Sequence, residues 1–226
     1  MGKCEQCIVR ELSSLKALSK DELIHLAQCK DSFTIKKGDA IFSEGDTVNG
    51  VYCIKEGTCK LVRMSSNGKD SILKLVTKGE LLGQTAIITE EKTTLSAVAV
   101  EDMQVCFIPK AEILGFIDKN KNFLKEVTKE VCQNLNYATD FALNHNTKTV
   151  KERLAQALLN VLDSAGTDTE GFLSLQLSRE EIASMVGTAT ESCIRLLAEL
   201  KKEGIIELKA KRIKIIKLNE LKSLAQ

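Results

Sequence analysis

Residues 177–216 read LSREEIASMVGTATESCIRLLAELKKEGIIELKAKRIKII. Ser178 followed three residues on by Glu181 is a capping box, which opens a helix by satisfying two of its unpaired N–H groups. That helix ends at Gly187, a residue free to take the left-handed conformation at a helix stop. Thr188, Ala189 and Thr190 lead into a second helix over residues 191–204, with Ile194, Leu197 and Leu200 setting its inward period. Ala183 is small enough to let the two helices cross closely, as a helix-turn-helix requires. Two short β segments follow, residues 205–208 and 213–216, around the basic turn Lys209, Ala210, Lys211, Arg212. Helix, glycine turn, helix and basic hairpin in this order predict a winged helix-turn-helix.

The second helix of such a unit enters a DNA major groove by its N-terminal half, so the outward side chains there decide what is read. These are Thr190, Glu191, Ile194 and Arg195. Glu191 can accept from cytosine N4, Arg195 can grip guanine O6 and N7 with two bonds, and Ile194 can touch a thymine methyl. Ser178, Lys211 and Arg212 complete the expected DNA-facing set, the two cations suiting phosphates, which position a protein without specifying sequence. A second reading stays open: Glu191 and Arg195, four apart, can pair on a solvated helix face.

The rest of the chain is large enough for another core. At 226 residues there is room for two modest domains, and 43% hydrophobic with 28% charged residues is ordinary for a globular protein. The net charge of +1 conceals a local footprint: residues 1–110 carry 15 basic and 15 acidic side chains, residues 201–217 seven basic and two acidic. No apolar run has the length of a bilayer span, and the N-terminus lacks the basic-then-apolar pattern of a secretory signal, so a cytoplasmic location is expected. The eight cysteines, at 4, 7, 29, 53, 59, 106, 132 and 193, are then expected as thiols or metal ligands rather than a disulfide framework.

Residues 8–29 read as helix from Leu12, Leu15, Leu18, Leu23 and Leu26, restarted by a capping box at Ser19 and Glu22. Beyond them Gly38, Gly45, Gly50, Gly57, Gly68, Gly79 and Gly83 punctuate segments rich in Val, Ile and Leu. Strands are predicted at 33–37, 51–55, 58–64, 72–76, 95–100 and 104–108, the last closed by Pro109. From Lys110 to about His145 a long helix carries the apolar seam Leu124, Val127, Val131, Leu135, Ala138 and Ala142. That seam either packs on its own domain or pairs with a second copy in a parallel coiled coil. Another amphipathic helix, Val150–Leu162, and a strand candidate, Phe172–Leu177, precede the capping box at Ser178.

Four stretches give the chain a resemblance along nearly its whole length to the CRP/FNR superfamily of bacterial regulators. They are residues 35–45, the turn 78–83, residues 151–155 and Thr190–Arg195. The resemblance implies an α+β fold: a cyclic-nucleotide-binding-type β-roll (a double-stranded jelly roll), a long dimerisation helix and a C-terminal winged helix-turn-helix. The expected divisions are 1–110, 111–146 and 147–226. It implies a homodimer on a palindromic DNA site with RNA polymerase as partner, and it puts Glu191 and Arg195 where family members contact a TGA-containing half-site. Thr190 and Ile194 fall at variable reading positions.

For the effector the resemblance points two ways. In nucleotide-binding relatives a Gly-Glu pair holds the ribose, here Gly79 and Glu80. An Arg-Ser pair holds the phosphate, and its place is taken here by Thr93 and Thr94, with Lys92 the nearest cation. A buried phosphate diester needs a positive charge, so loss of the arginine argues against cyclic AMP and leaves Lys92 as the alternative. In oxygen-sensing relatives four cysteines hold an iron–sulfur cluster. Cys4, Cys7 and Cys106 look like three of them; the expected fourth is Ser13, which leaves Cys29 or an Asp or Glu oxygen to complete the set. Cys53, Cys59, Cys132 and Cys193 read as small core side chains, and Cys4 with Cys7 reads equally as a redox pair. His25 and His145 read as isolated surface or boundary residues. No nucleophile–base–oxyanion arrangement or phosphate-cradling glycine loop points to an enzyme.

Overall fold

The computed structural model describes residues 4, 7–64 and 70–226. The chain divides into two units, residues 1–63 with 76–137 and residues 64–75 with 138–226.

In the first unit the predicted 8–29 helix is three pieces. Ser13 is extended and its hydroxyl accepts from Leu15 N, which separates a 3₁₀ turn at Ile8–Leu12 from another at Ser14–Ala17. Helix α1 (Lys20–Cys29) then starts at the predicted Ser19–Glu22 box and buries Leu23 and Leu26. The β-roll strands, which apart from β5 and the terminal Met64 of β4 lie in the first unit, are β1 (Asp31–Ile35), β2 (Ala40–Phe42), β3 (Gly50–Glu56), β4 (Cys59–Met64), β5 (Asp70–Val76), β6 (Leu81–Leu82), β7 (Ser96–Ala99) and β8 (Met103–Pro109). They form two four-stranded sheets, β1-β8-β3-β6 and β2-β7-β4-β5. Val51, Ile54, Val105 and Ile108 fill the space beneath with almost no exposure. The short β2 and β6 and the single-turn helix α2 (Gln84–Thr89) are too brief for periodicity to reveal.

The long helix predicted from Lys110 is broken into α3 (Lys110–Lys119) and α4 (Lys121–Thr147). Asn120 makes the break: its Oδ1 accepts from Asn122 N and Phe123 N, capping α4, while Nδ2 donates to Ala17 O at 3.1 Å and Glu22 Oε2 at 2.8 Å. Of the seam, Val127 is buried, while Leu124, Val131 and Leu135 stand 43%, 38% and 66% exposed.

The second unit holds α5 (Val150–Ala165), α6 (Arg179–Val186), α7 (Thr190–Lys202), the hairpin β9 (Ile206–Lys209) and β10 (Arg212–Ile215), and α8 (Leu218–Leu224). The strand predicted at 172–177 does not form. Phe172, Leu173, Leu175 and Leu177 are buried, which mimics a strand pattern, but the backbone makes single anchoring bonds, Leu173 N to Ile213 O and Ser174 N to Gly166 O.

Candidate nucleic-acid interface and sensor residues

The pair α6 and α7 is built as its caps dictate. The Ser178 hydroxyl accepts from Glu181 N at 3.1 Å and the Glu181 carboxylate accepts from Ser178 N at 2.9 Å, so Ser178 serves as the N-cap of α6. Gly187 ends α6 with φ +69°, and a Cβ there would meet His145 Nε2 at 3.0 Å. Strained backbone and close approach together demand glycine at this position. Arg153 ties the end of α6 to the α4–α5 junction, donating from Nε to Val186 O at 2.8 Å and from Nη1 to Lys148 O at 2.7 Å.

On α7 the inward stripe is Cys193, Leu197 and Leu200, facing a core that includes Ile182, Ala183 and Val186. Burial pushes the Cys193 thiol up to about 11, as its inward setting requires. Ile194 lies outside this stripe, 49% exposed, which corrects its place in the inward period: one residue's rotation puts Cys193 in the core and Ile194 on the reading face. Glu191 and Arg195 are also exposed, and among the described residues no ion pair joins them, so the self-pairing reading is not what the geometry provides. Thr190 is half-buried at the start of the helix. Ala189, at the N-cap, makes no side-chain cap bond, which leaves first-turn N–H groups for an outside acceptor.

In the wing, Lys209 pairs with Arg212 across the β9–β10 turn. Arg179 holds that turn, donating from Nη2 to Ala210 O at 2.9 Å. Lys211 is exposed at the tip. Arg212 is turned back on its own unit: Nη2 lies 2.7 Å from Asp168 Oδ2, Nη1 3.2 Å from Glu170 Oε2, and the guanidinium sits 4.1 Å over the Phe172 ring. The Arg212 guanidinium holds the Asp168 carboxyl below its ordinary range. Sequence placed Lys211 and Arg212 together on the DNA side; the structure separates a free cation from an anchored one.

In the β-roll, Gly79 has φ +92°, donates its N–H to Ile54 O at 2.8 Å, and has no room for a Cβ, which would fall 2.3 Å from Leu12 Cβ. Glu80 Oε1 accepts from Thr77 N at 3.0 Å. Thr93 is buried with its hydroxyl donating to Ser43 O at 2.6 Å, while Lys92 and Thr94 are exposed. Where a phosphate arginine would stand, Thr93 is a turn lock, and the nearby cation faces solvent.

The thiols sort into separate groups. Cys106 is buried on β8, with Lys30 Nζ and Ser32 Oγ each 3.7 Å from its sulfur. Burial pushes the Cys4 thiol up and Lys30 draws it back down. Cys53 is directly opposite Cys106 in the β3–β8 register and is pushed up to about 12, chiefly by burial and then by Cys106, Cys7 and Cys4. Cys4, Cys7, Cys53 and Cys106 thus neighbour one another around Lys30. Cys53 is buried in the core as expected, and strand register sets it across from Cys106. Cys29 is elsewhere, its sulfur 3.6 Å from His25 Nε2. Thiols from three segments beside one cation are donors of the kind an iron–sulfur cluster takes, although among the described residues no three of these sulfurs lie within 4.8 Å of one another. Cys59 and Cys193 are buried as expected; Cys132 is exposed on α4 instead of filling a core, because none of the described residues covers that part of the helix. Neither histidine is isolated: His145 stacks on Phe141 at 4.1 Å, and His25 bonds Glu112.

A β-roll followed by a long helix and a helix-turn-helix with an exposed reading face is the architecture of a DNA-binding transcription regulator. Two family models divide the chain accordingly, the cyclic nucleotide-binding domain over residues 33–120 and the Crp-like helix-turn-helix domain over residues 152–224. The fumarate and nitrate reduction regulatory protein of Vibrio cholerae is 28% identical over 98% of this chain and 90% of its own. The transcriptional activator Anr of Pseudomonas aeruginosa is 26% identical over 98% and 92%. Among solved structures, a CRP/FNR-family transcriptional regulator from Thermus thermophilus superimposes with a TM-score of 0.74 at 26% identity, covering 86% of this chain and 98% of that one. FixK2 from Bradyrhizobium japonicum shares the fold, with a TM-score of 0.77 at 22% identity, over 87% of this chain and 98% of its own. The chain belongs to the CRP/FNR family of DNA-binding transcription regulators. No described helix is long and apolar enough to cross a membrane.

Proposed function

We propose that the chain works as a cytoplasmic homodimer on a palindromic DNA site with a TGA-containing half-site core. Glu191 and Arg195 read bases, Ile194 and Thr190 flank them, and Lys211 with the Ser178 end of α6 lies along the backbone. The observation that carries this reading is the outer face of α7, where Glu191, Ile194 and Arg195 stand exposed above the buried stripe of Cys193, Leu197 and Leu200. The apolar face of α4, with Leu124, Val131 and Leu135 exposed, supports pairing with a second copy. Its parts are a sensor over 1–110, a dimer helix over 111–146 and a DNA domain over 147–226; RNA polymerase is the partner once DNA is bound. The chain acts by binding, without catalysis.

The signal is oxygen or redox state, read at Cys4, Cys7 and Cys106 together with Cys53. An iron–sulfur cluster held by these thiols would supply an oxygen-labile centre; without it the thiols themselves are the redox-sensitive groups. A nucleotide effector is disfavoured by the engaged Thr93 hydroxyl and the exposed Lys92. The test is fluorescence anisotropy on a duplex carrying inverted TGA half-sites against a scrambled one, under nitrogen and after air, with iron and sulfide analysis. Specific binding that changes with air, and is lost in Arg195→Ala, is expected. Equal affinity for both duplexes would overturn the reading of α7; binding indifferent to air would overturn the redox signal.

A further inference from the structure

Apart from the thiols around Lys30, a second group of metal-ligating side chains lies on the outside of the β-roll unit. His25 and Cys29 are one turn apart on the same face of α1, and Glu112 comes from the first turn of α3. Their ligand atoms all lie within 4.8 Å of one another. His25 Nε2 is 2.6 Å from Glu112 Oε2 and 3.6 Å from Cys29 Sγ. The His25 ring is steadied by an edge-on contact with Phe116, 6.4 Å between centroids at 84°. His25 is exposed and the other two are partly so, which leaves a path for an ion and a side open to water.

We propose that His25, Cys29 and Glu112 form a binding site for a divalent transition ion of the zinc class, which ties α1 to α3. The donor set is the first argument. One thiol, one imidazole and one carboxylate suit zinc, whereas magnesium and calcium take oxygen donors. Geometry is the second. Zinc–nitrogen and zinc–sulfur bonds of about 2.05 and 2.3 Å at a tetrahedral angle set the two ligand atoms about 3.6 Å apart, matching the separation of His25 Nε2 and Cys29 Sγ. The same construction with oxygen gives about 3.4 Å, so Glu112 Oε2 must withdraw from its 2.6 Å hydrogen bond by less than the length of a bond, an easy motion for a partly exposed side chain. Charge is the third: thiolate and carboxylate together offset a dication, and the fourth position falls to water. On binding, the Cys29 thiol proton passes to solvent and the sulfur–metal bond replaces it, while the imidazole changes tautomer, its proton moving from Nε2 to Nδ1 through water and freeing the Nε2 lone pair for the ion. Without the ion, Glu112 bonds His25, whose Nε2 also lies 3.6 Å from the Cys29 sulfur, so the three keep one another in place.

The probe is cobalt(II), added to the reduced, metal-free full chain under nitrogen, because its thiolate charge-transfer and tetrahedral ligand-field bands report the donors directly. To separate this site from the thiols around Lys30, the titration uses a Cys4→Ser, Cys7→Ser, Cys106→Ser background, with the unsubstituted chain in parallel. One equivalent of cobalt with a thiolate band, displaced by zinc, is expected in that background. Cys29→Ser should abolish the band, and His25→Ala should abolish stoichiometric uptake. Thermal unfolding gives an independent measure if the triple variant folds poorly: zinc should raise the Tm of the unsubstituted chain and not that of His25→Ala or Glu112→Gln. A band that survives Cys29→Ser, or uptake and Tm shifts indifferent to His25→Ala, would overturn the proposal, leaving adventitious binding only. Because the site shares no residue with α7 or the Lys30 thiols, its failure leaves the DNA and redox readings standing.

Discussion

The reading face of α7 and the thiol neighbourhood of the β-roll treat their functional groups in opposite ways. Under α7 the scaffold is tied down at α6, with Ser178 and Glu181 capping its start and Arg153 holding its end, while Glu191, Ile194 and Arg195 face outward. Around Lys30 it is the reactive atoms that turn inward, with Cys4, Cys53 and Cys106 buried. A surface that meets a rigid external partner needs exposed groups on a stiff support; a group whose chemistry must be rationed is kept from water. The comparison breaks first at the dimer. Replacing Val131 and Leu135 on α4 by Asp should give monomers in light scattering and weaken DNA binding by about 100-fold or more, since two linked reading heads gain that much over one. A double variant that stays dimeric would show that the seam lies elsewhere.

The next effect concerns the exposed face itself. Arg195→Ala should cost about 1–3 kcal/mol per half-site, or roughly 5- to 150-fold for each head, with loss of discrimination at one base pair. Its melting temperature should not move, because the side chain is exposed. Loss of affinity that is equal on scrambled DNA would make Arg195 a phosphate contact, and the outward face of α7 a positioning surface.

How much of this could be read from the sequence divides along the same line. The helix-turn-helix was legible because it is local: the caps at Ser178 and Gly187, the stripe of α7 and the basic hairpin lie within residues 178–216. Even so, the sequence assigns Ile194 both to the inward period and to the outward face, and packing decides for the outside, with Cys193 in the core. The sensor was not local. Cys53 meets Cys106 through strand register, and His25 meets Glu112 through the docking of α1 on α3; neither is encoded in spacing along the chain. His25 and Cys29 stand at i and i+4, but along the sequence His25 reads as isolated, and nothing along the chain points to Glu112. The apparent strand at 172–177 and the unbroken helix from Lys110 failed for a related reason: long-range bonds from Leu173 and Asn120 override local pattern.

The buried side of the comparison predicts a dependence on pH. Cys53 in the folded protein titrates near 12 against an ordinary 9.0, so between those values the unfolded chain loses its proton while the folded one keeps it. Stability from this group is complete below about pH 9 and falls as pH rises towards 12, by at most about 1.4 kcal/mol per pH unit. Urea unfolding of the reduced protein from pH 8 to 11 should show that decline, flattened in Cys53→Ala. A decline unchanged in Cys53→Ala would mean that this thiol is not the buried group. A smaller loss, about 1 kcal/mol, is expected for Ser178→Ala, which removes one cap bond from α6. It should appear as a lower Tm and as weaker binding to specific and scrambled DNA alike, since the cap supports the whole pair of helices.

The smallest effects sharpen the comparison within the wing, where one cation is exposed and its neighbour is engaged. Lys211 has its charge at the tip, whereas Arg212 is held by Asp168, Glu170 and the face of Phe172. Each phosphate neutralised on binding releases counterions, so Lys211→Ala should reduce the slope of log affinity against log salt by about one for each lysine removed, with a loss of a few-fold in affinity at moderate salt. Arg212→Ala should leave that slope unchanged and instead lower the Tm, because it frees the loop at 168–172 from β10. Were Arg212→Ala to change the slope as much as Lys211→Ala, the guanidinium would have to leave two carboxylates for a phosphate when DNA arrives. The wing would then be a part that rearranges on binding, and the contrast between a preformed reader and a guarded sensor would hold for α7 alone.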